Sequence, residues 1–197
     1  MESRIVLKTT HTQTKPDETI LIQATLQEPG KFGELYRLYV ERIFRYLYSR
    51  VGNVQEAEDL TAQTFLAALE SFERFWTGGC PAPAPWGFAA WLFGIARNKA
   101  VDHYRRRDKA DPLGEEHRAP GENDPLTGII RSERAGELAG LIAALPESER
   151  ELLRLRYLAE MSFDEMAHAL KRNADAIKKS LYRLLQRLQR QLESSND

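Results

Sequence analysis

The sequence has a single cysteine, Cys80, among its 197 residues. One thiol cannot form a disulfide within the chain, and it cannot supply an all-cysteine zinc site. No run of apolar residues approaches the roughly 18 that a membrane span needs. The first residues also lack the apolar core of a signal peptide. These absences predict a cytoplasmic protein without a membrane span.

Sequence motifs of enzymes are absent as well. The chain has no phosphate-binding P-loop, no glycine-rich dinucleotide motif and no HExxH zinc motif. Its four histidines are scattered without the spacing of metal ligands. We therefore expect a protein that is not an enzyme, with no catalytic residues, no metal site and no cofactor.

Charge is nearly balanced overall but strongly segregated along the chain. The formal net charge is −1, yet residues 171–190 carry seven basic residues against one acidic residue. Residues 111–137 show the reverse, with seven acidic residues against three arginines. A nucleic acid responds to a local basic surface rather than to net charge, so this pattern favours a nucleic-acid-binding protein.

Helical periodicity dominates the chain from residue 31 onward. Apolar residues recur at three- and four-residue steps, which predicts three amphipathic helices between residues 31 and 107. The first should end at Gly52-Asn53, and the third should begin near Trp86, after a proline-rich loop over residues 77–85. Residues 1–30 show no sustained period, so we expect them to form a mobile N-terminal extension.

The second half of the chain has its own helical pattern. Residues 108–132 combine proline, glycine and acidic side chains, which is typical of a flexible linker. Ser162 and Glu165 form a capping box before a short helix, and Asn173 can cap a longer basic helix. A short helix, a tight turn and a longer basic helix are typical of the helix-turn-helix. The predicted fold is all-α, with two small helical domains joined by an acidic flexible linker.

Three groups of residues are candidates for binding on their chemistry alone. The basic helix presents cations and a tyrosine on a face other than its apolar one, as a recognition helix does. The third helix and its preceding loop combine aromatic residues with cations, which suits an unstacked single strand. The acidic residues that open the second helix either complement the helix dipole or form a protein-docking surface.

Two stretches of the sequence carry motifs of a known family. Residues 56–65, EAEDLTAQTF, and 91–98, WLFGIARN, resemble conserved region two of bacterial sigma factors. Residues 145–188 resemble region four, so the chain is similar to the extracytoplasmic-function (group IV) sigma factors of the sigma-70 family. The resemblance implies an N-terminal extension over 1–30, region two over 31–107, an acidic linker over 108–132 and region four over 133–192.

The resemblance also implies a function, partners and site residues. Members bind core RNA polymerase and direct promoter-specific transcription initiation, and many are held inactive by an anti-sigma factor. Docking on the β′ clamp helices is implied for Glu58, Asp59, Gln63 and Phe65. Contact with the minus-ten element is implied for Trp86, Asn98, Asp102, Arg105 and Arg106. Contact with the minus-thirty-five element is implied for Lys178, Lys179, Tyr182 and Arg183. Internal packing or contact with the β flap is implied for Leu152, Leu153 and Leu155.

Two departures from the family and two other readings stay open at this point. The loop before Trp86 is unusually rich in proline and glycine, and Arg172 stands at a position of the helix-turn-helix that is usually apolar. Lys171 stands where the turn of the helix-turn-helix usually has glycine, so either a non-glycine residue adopts a positive φ there or the turn differs. A free-standing helix-turn-helix regulator would bind duplex DNA without polymerase. A helical adaptor protein would not bind DNA at all.

Overall fold

The computed structural model describes residues 15–77, 87–110 and 133–194. Within these ranges the regular structure is helical throughout, which confirms the all-α prediction. The α-helices are α1 (Lys15–Gln27), α2 (Phe32–Val51), α3 (Val54–Thr77), α4 (Gly87–Ala110), α5 (Glu133–Ala143), α6 (Glu147–Leu153), α7 (Phe163–Leu170) and α8 (Ala174–Ser194). The proline-rich loop after Thr77 and most of the acidic linker lie outside the described residues.

Helices α2, α3 and α4 form the first bundle around an aromatic core. The rings of Phe32, Phe72 and Phe88, one from each helix, meet edge to face with centroids 5.7 to 6.4 Å apart. Gly52 ends α2 in the left-handed conformation, as its position predicts. The side chain of Asn53 then caps α3 by accepting a hydrogen bond from the backbone N–H of Glu56 at 3.0 Å.

Helix α1 gives regular structure to part of the segment 1–30, which the sequence pattern left unassigned. It packs against α2 and α4 and buries Ile22 and Thr25. One of these two buried residues is polar, and the Thr25 hydroxyl donates to the carbonyl oxygen of Leu21 at 2.8 Å. A helix with so few buried apolar residues has no clear apolar period, which is why the sequence pattern did not reveal it.

Helices α5 to α8 form the second bundle, with Met161, Met166, Ile177 and Leu181 at its centre. A π-helical turn over Arg154–Leu158 extends α6. The predicted capping box is present, since Ser162 N–H donates to Glu165 Oε2 at 2.6 Å and Glu165 N–H donates to Ser162 Oγ at 3.3 Å. Asn173 caps α8 as predicted, accepting hydrogen bonds from two backbone N–H groups.

The turn between α7 and α8 resolves the question that Lys171 raised. Lys171 adopts the left-handed conformation, with φ at +52°. Its N–H donates to the carbonyl of His168, and the N–H of Arg172 donates to that of Ala167, which completes a Schellman motif. The family's turn is therefore kept without its glycine, because the hydrogen bonds of the motif compensate for the strain of Lys171.

Replacing Lys171 with glycine tests this strain. A non-glycine residue in the left-handed region costs roughly 1 kcal/mol, which glycine would avoid. Glycine also increases the entropy of the unfolded chain, and this cancels about half of the stability gained. We expect Lys171→Gly to raise the free energy of unfolding by about 0.5 kcal/mol and Lys171→Ala to leave it nearly unchanged. Urea unfolding followed by circular dichroism measures both. A Lys171→Gly protein that is less stable than wild type would contradict the inference that the backbone of Lys171 is strained.

Candidate nucleic-acid and partner interfaces

The four residues predicted to contact duplex DNA lie together on α8. Apolar residues Ile177, Leu181, Leu184 and Leu188 are buried along one face of this helix. Lys178, Lys179, Tyr182 and Arg183 are all exposed. At 3.6 residues per turn they share a face nearly opposite the apolar one. The structure thus gives α8 a continuous basic surface directly after the Schellman turn.

Tyr182 has an aromatic support that the sequence did not indicate. Its ring lies 6.4 Å from that of Phe163, the first residue of α7, and remains 53% exposed. The guanidinium of Arg156 lies over the other ring of this pair, 4.9 Å from the Phe163 centroid. Because Phe163 is itself braced, the Tyr182 ring is held against the surface beside the basic residues rather than left free in solvent.

The predicted single-strand residues follow one side of α4. Asn98, Arg105 and Arg106 are exposed. Asp102 is half-buried and forms an ion pair with Arg105 at 3.1 Å. Trp86 lies outside the described residues. Phe88 is fully buried and belongs to the core, and the partly buried Trp91 packs on it with ring centroids 5.5 Å apart.

The acidic start of α3 divides into two parts. Glu56 pairs with His103 of α4, with 3.2 Å between carboxylate and imidazole, and so joins two helices of the bundle. Glu58, Asp59 and Gln63 are exposed. Phe65 does not share that surface, because it is only 5% exposed and its ring meets the edge of Tyr36 at 4.7 Å.

Two leucines on α3 are surface residues that the sequence analysis missed. Leu66 is 57% exposed and Leu69 is 47% exposed. Helical spacing puts both on the same side of α3 as Asp59 and Gln63. We call Glu58, Asp59, Gln63, Leu66 and Leu69 the α3 surface. Its apolar part breaks the pattern of a solvated helix face and is typical of a surface that a partner covers.

A buried charge cluster joins the two bundles. The hydroxyl of Tyr46 in α2 donates to Glu151 Oε1 at 2.7 Å, and Arg50 donates to Glu151 Oε2 at 2.7 Å. Arg97 of α4 lies 3.7 Å from the same carboxylate, and Arg154 lies 3.8 Å from it. Burial and the negative charge of Glu151 both raise the pKa of Tyr46, so its phenol stays protonated as a donor.

A second set of polar contacts lies beside the cluster. Arg42 of α2 donates through Nε to the carbonyl oxygen of Ala159 at 2.9 Å, and Arg45 pairs with Glu160 at 3.1 Å. These two acceptors follow directly on the π-helical turn, where Glu160 has a positive φ of +52°. The interface between the bundles therefore combines these polar contacts with apolar packing, since one continuous hydrophobic core runs through both bundles. The prediction of two tethered domains did not include this interface.

Two further properties follow from the parts of the chain that the structure describes. Among those residues, no group of three or more His, Cys, Asp or Glu side chains could hold a metal ion. No described helix is both long enough and apolar enough to cross a membrane.

The fold and its exposed surfaces define a class of DNA-binding protein, with one helical bundle joined to a helix-turn-helix unit. Family models identify the class more closely. Residues 35–110 match Sigma-70 region 2, and residues 135–188 match Sigma-70 region 4. Together the two ranges cover about two thirds of the chain. The chain belongs to the sigma-70 family of RNA polymerase sigma factors, which direct transcription initiation, and within it to the extracytoplasmic-function group.

Curated relatives agree with this assignment. The chain is 35% identical over 173 residues to the ECF RNA polymerase sigma factor BldN of Streptomyces coelicolor, covering 86% of this chain and 63% of that protein. It is 28% identical over 159 residues to the ECF RNA polymerase sigma factor SigM of Bacillus subtilis, covering 79% of this chain and 91% of that protein. The chain thus spans less than two thirds of BldN but nearly all of SigM.

Solved structures share the fold. The structure of CnrH in complex with the cytosolic domain of CnrY aligns with a TM-score of 0.62 at 22% identity, over 90% of this chain and 97% of that one. The sigma factor RpoE in complex with the anti-sigma factor NepR from Bartonella quintana aligns with a TM-score of 0.58, also at 22% identity, over 82% of this chain and 96% of that one. The region 2 match disfavours a free-standing helix-turn-helix regulator.

The buried cluster predicts the effect of Tyr46→Phe. The variant loses a hydrogen bond to a buried carboxylate, which is worth about 1.5 to 3 kcal/mol. We expect the equilibrium to shift at least tenfold toward separated bundles, seen as a larger radius of gyration in small-angle X-ray scattering. Tyr48→Phe is the matched control, because the Tyr48 ring stacks on Phe44 within the first bundle. Unchanged scattering in Tyr46→Phe would contradict the role of the cluster.

Proposed function

We propose that this chain binds core RNA polymerase and directs promoter-specific initiation by recognising minus-ten and minus-thirty-five elements. The observation that carries the proposal is that α4 and α8 each fill the core with one face and expose the predicted DNA-contacting residues on another. On this proposal residues 31–107 act as region two and residues 133–192 as region four, joined by the acidic linker over 108–132. The protein acts in the cytoplasm and is not an enzyme.

Recognition of the minus-thirty-five duplex is assigned to α8. Its exposed basic residues can reach phosphates and base edges in a major groove, which is wide enough to admit a helix. Tyr182 adds an aromatic edge for apolar contact with a thymine methyl group. Leu152, Leu153 and Leu155 are at most 4% exposed, so they support internal packing rather than contact with the β flap.

Recognition of the minus-ten strand is assigned to α4 and the residues before it. Asn98, Asp102, Arg105 and Arg106 offer donors, acceptors and phosphate-binding cations along one side of the helix. A base taken out of the stack costs a few kcal/mol, which contacts with the protein must offset. We assign part of that stacking to Trp86, one residue before α4 begins.

Docking on the β′ clamp helices is assigned to the α3 surface. Its carboxylates provide charge complementarity, and Leu66 and Leu69 provide apolar area that docking would remove from water. Phe65 serves this surface indirectly by packing behind it against Tyr36. Glu58 and Asp59 are exposed in the packed arrangement of the two bundles, so docking can begin before the bundles separate.

The packed arrangement cannot itself read a whole promoter. Two elements about 25 base pairs apart are separated by roughly 85 Å of duplex, at 3.4 Å per base pair. Tyr46 and Glu151, one from each bundle, are in direct contact. The bundles must therefore separate on polymerase. An anti-sigma factor is a further expected partner, since one aligned structure is that of the sigma factor RpoE in complex with the anti-sigma factor NepR.

Run-off transcription with core polymerase tests the assignment of α8. Arg183→Ala should lower transcript yield from a minus-thirty-five-dependent promoter by roughly 5- to 100-fold, since one good base contact is worth about 1 to 3 kcal/mol. Arg190→Ala removes the same charge from the same side of α8, about 10 Å further along, and should have a much smaller effect. Equal losses of transcript in the two variants would show that α8 contributes only non-specific electrostatic attraction to DNA.

Binding to core polymerase tests the α3 surface separately. Asp59→Ala combined with Leu66→Ser should weaken binding to core polymerase at least tenfold, because it removes a charge and an apolar contact from one surface. Glu41→Ala combined with Leu38→Ser, both exposed on α2 rather than α3, makes the same kinds of change and serves as the control for altered charge and polarity. Fluorescence anisotropy of labelled protein gives both affinities. Unchanged binding in the first variant would contradict docking through this surface.

A further inference from the structure

Helix α1 lies outside both ranges that the family models match, yet it is built into the first bundle. The matched ranges begin at residue 35, whereas α1 covers Lys15–Gln27. The helix packs against both α2 and α4. One of its acidic residues, Glu18, is turned toward this junction instead of toward solvent.

Glu18 connects α1 to both neighbouring helices through a single oxygen atom. Its Oε1 accepts a hydrogen bond from the hydroxyl of Tyr39 in α2 at 2.8 Å. The same oxygen accepts from the backbone N–H of Phe88, the second residue of α4, at 3.0 Å. The first N–H groups of a helix have no partner within it, so Glu18 caps α4 from another helix.

The sequence at the start of α4 is suited to this carboxylate. Gly87 has a φ of +72°, which side chains rarely tolerate. A Cβ atom at Gly87 would lie 3.2 Å from Glu18 Oε2, so a larger residue would also crowd the carboxylate. Conformation and space therefore both favour glycine at the point where the chain enters α4.

We propose that Glu18 is a positioning residue for minus-ten recognition, acting by fixing the start and the direction of α4. This inference rests on the proposed function of α4. Asn98 lies ten residues after Phe88, or about 15 Å along the helix. A tilt of about 5° at the start of α4 would move Asn98 by roughly 1 Å, enough to impair a contact that depends on geometry.

The electrostatic surroundings of Glu18 distinguish this role from simple packing. Burial raises its pKa, the Tyr39 hydrogen bond opposes that shift, and the negative charge of Glu165 in α7 adds to it. The positive charge near this carboxylate and phenol comes from Arg42, whose guanidinium lies over the Tyr39 ring, 4.9 Å from its centroid. Ionisation of a half-buried carboxylate in such surroundings lowers the stability of the folded protein. The favourable contribution of Glu18 is therefore its hydrogen bonds to α2 and α4.

The test compares Glu18→Ala, Glu18→Gln and the wild-type chain in three measurements with the full protein. These are binding to core polymerase, binding to a minus-thirty-five duplex, and opening of the minus-ten region by the holoenzyme, read by permanganate reactivity. We expect Glu18→Ala to reduce opening at least tenfold with the two binding constants unchanged. Glu18→Gln should retain most of the wild-type promoter opening, because the amide oxygen of glutamine can still accept the hydrogen bond from the backbone N–H of Phe88. Glu28→Gln, an exposed change beside α1, should match wild type.

A second measurement keeps the test decisive if Glu18→Ala does not fold. Because the pKa of Glu18 is raised in the folded protein, wild type should gain stability relative to Glu18→Gln as pH falls from 8 toward 4.5, the ordinary value. The melting temperature of wild type minus that of Glu18→Gln should therefore increase as the pH falls. A pH-independent difference would contradict the burial of this carboxylate between α1, α2 and α4, and the proposal would fall with it.

The remaining outcomes separate this inference from the function on which it rests. Opening by Glu18→Ala at the wild-type level would overturn the role of Glu18 while leaving the proposed function intact. Parallel losses in all three measurements would reduce Glu18 to a residue needed only for stability. A wild-type protein that binds core polymerase and opens no promoter would contradict the proposed function itself.

Discussion

The carboxylate of Glu151 determines how the two bundles of this sigma factor meet. It is 5% exposed and is met by the hydroxyl of Tyr46 and the guanidinium of Arg50, both from the other bundle. Removing one partner of such a buried charge typically costs about 3 to 5 kcal/mol, whereas the complete set contributes little net stability. The cluster therefore specifies how the bundles meet more than it strengthens their contact. Water or a partner protein can replace the hydrogen bonds of this cluster, so the polar part of the interface can open.

Helix α4 shows how the same chain can provide a core and a binding surface. It contacts α1, α2 and α3 of its own bundle and α7 of the other. Small and aromatic residues, including Ala89, Phe93 and Ala96, fill its buried side. The hydrogen bonds of Glu18 hold its first turn, and the hydrogen bond between the side chains of Glu56 and His103 holds it near its other end. A helix fixed at both ends can present Asn98 and its neighbours in a defined direction.

Local features of the fold could be predicted from the sequence because they depend on residues a few positions apart. The end of α2 at Gly52, the cap at Asn53 and the capping box of Ser162 and Glu165 all involve neighbours within one turn. The same holds for the buried and exposed sides of α8, which one helical period separates. Most of the predicted binding residues were also found on the surface, with Phe65 as the exception and Trp86 outside the described residues.

The sequence alone therefore determined the helices from α2 onward, their caps and the basic face of α8, since each follows from contacts at short range. Only the tertiary structure decided which polar residues are buried and which apolar residues are left exposed. Tyr46 and Glu151 are 105 residues apart, and Glu18 and Phe88 are 70 apart, so no local period relates them. Leu66 and Phe65 are adjacent, yet one faces solvent and the other the core, because the ring of Tyr36 covers only Phe65. Contacts between residues distant in the sequence determine the surroundings of such side chains, and these surroundings determine what each side chain can do in the function.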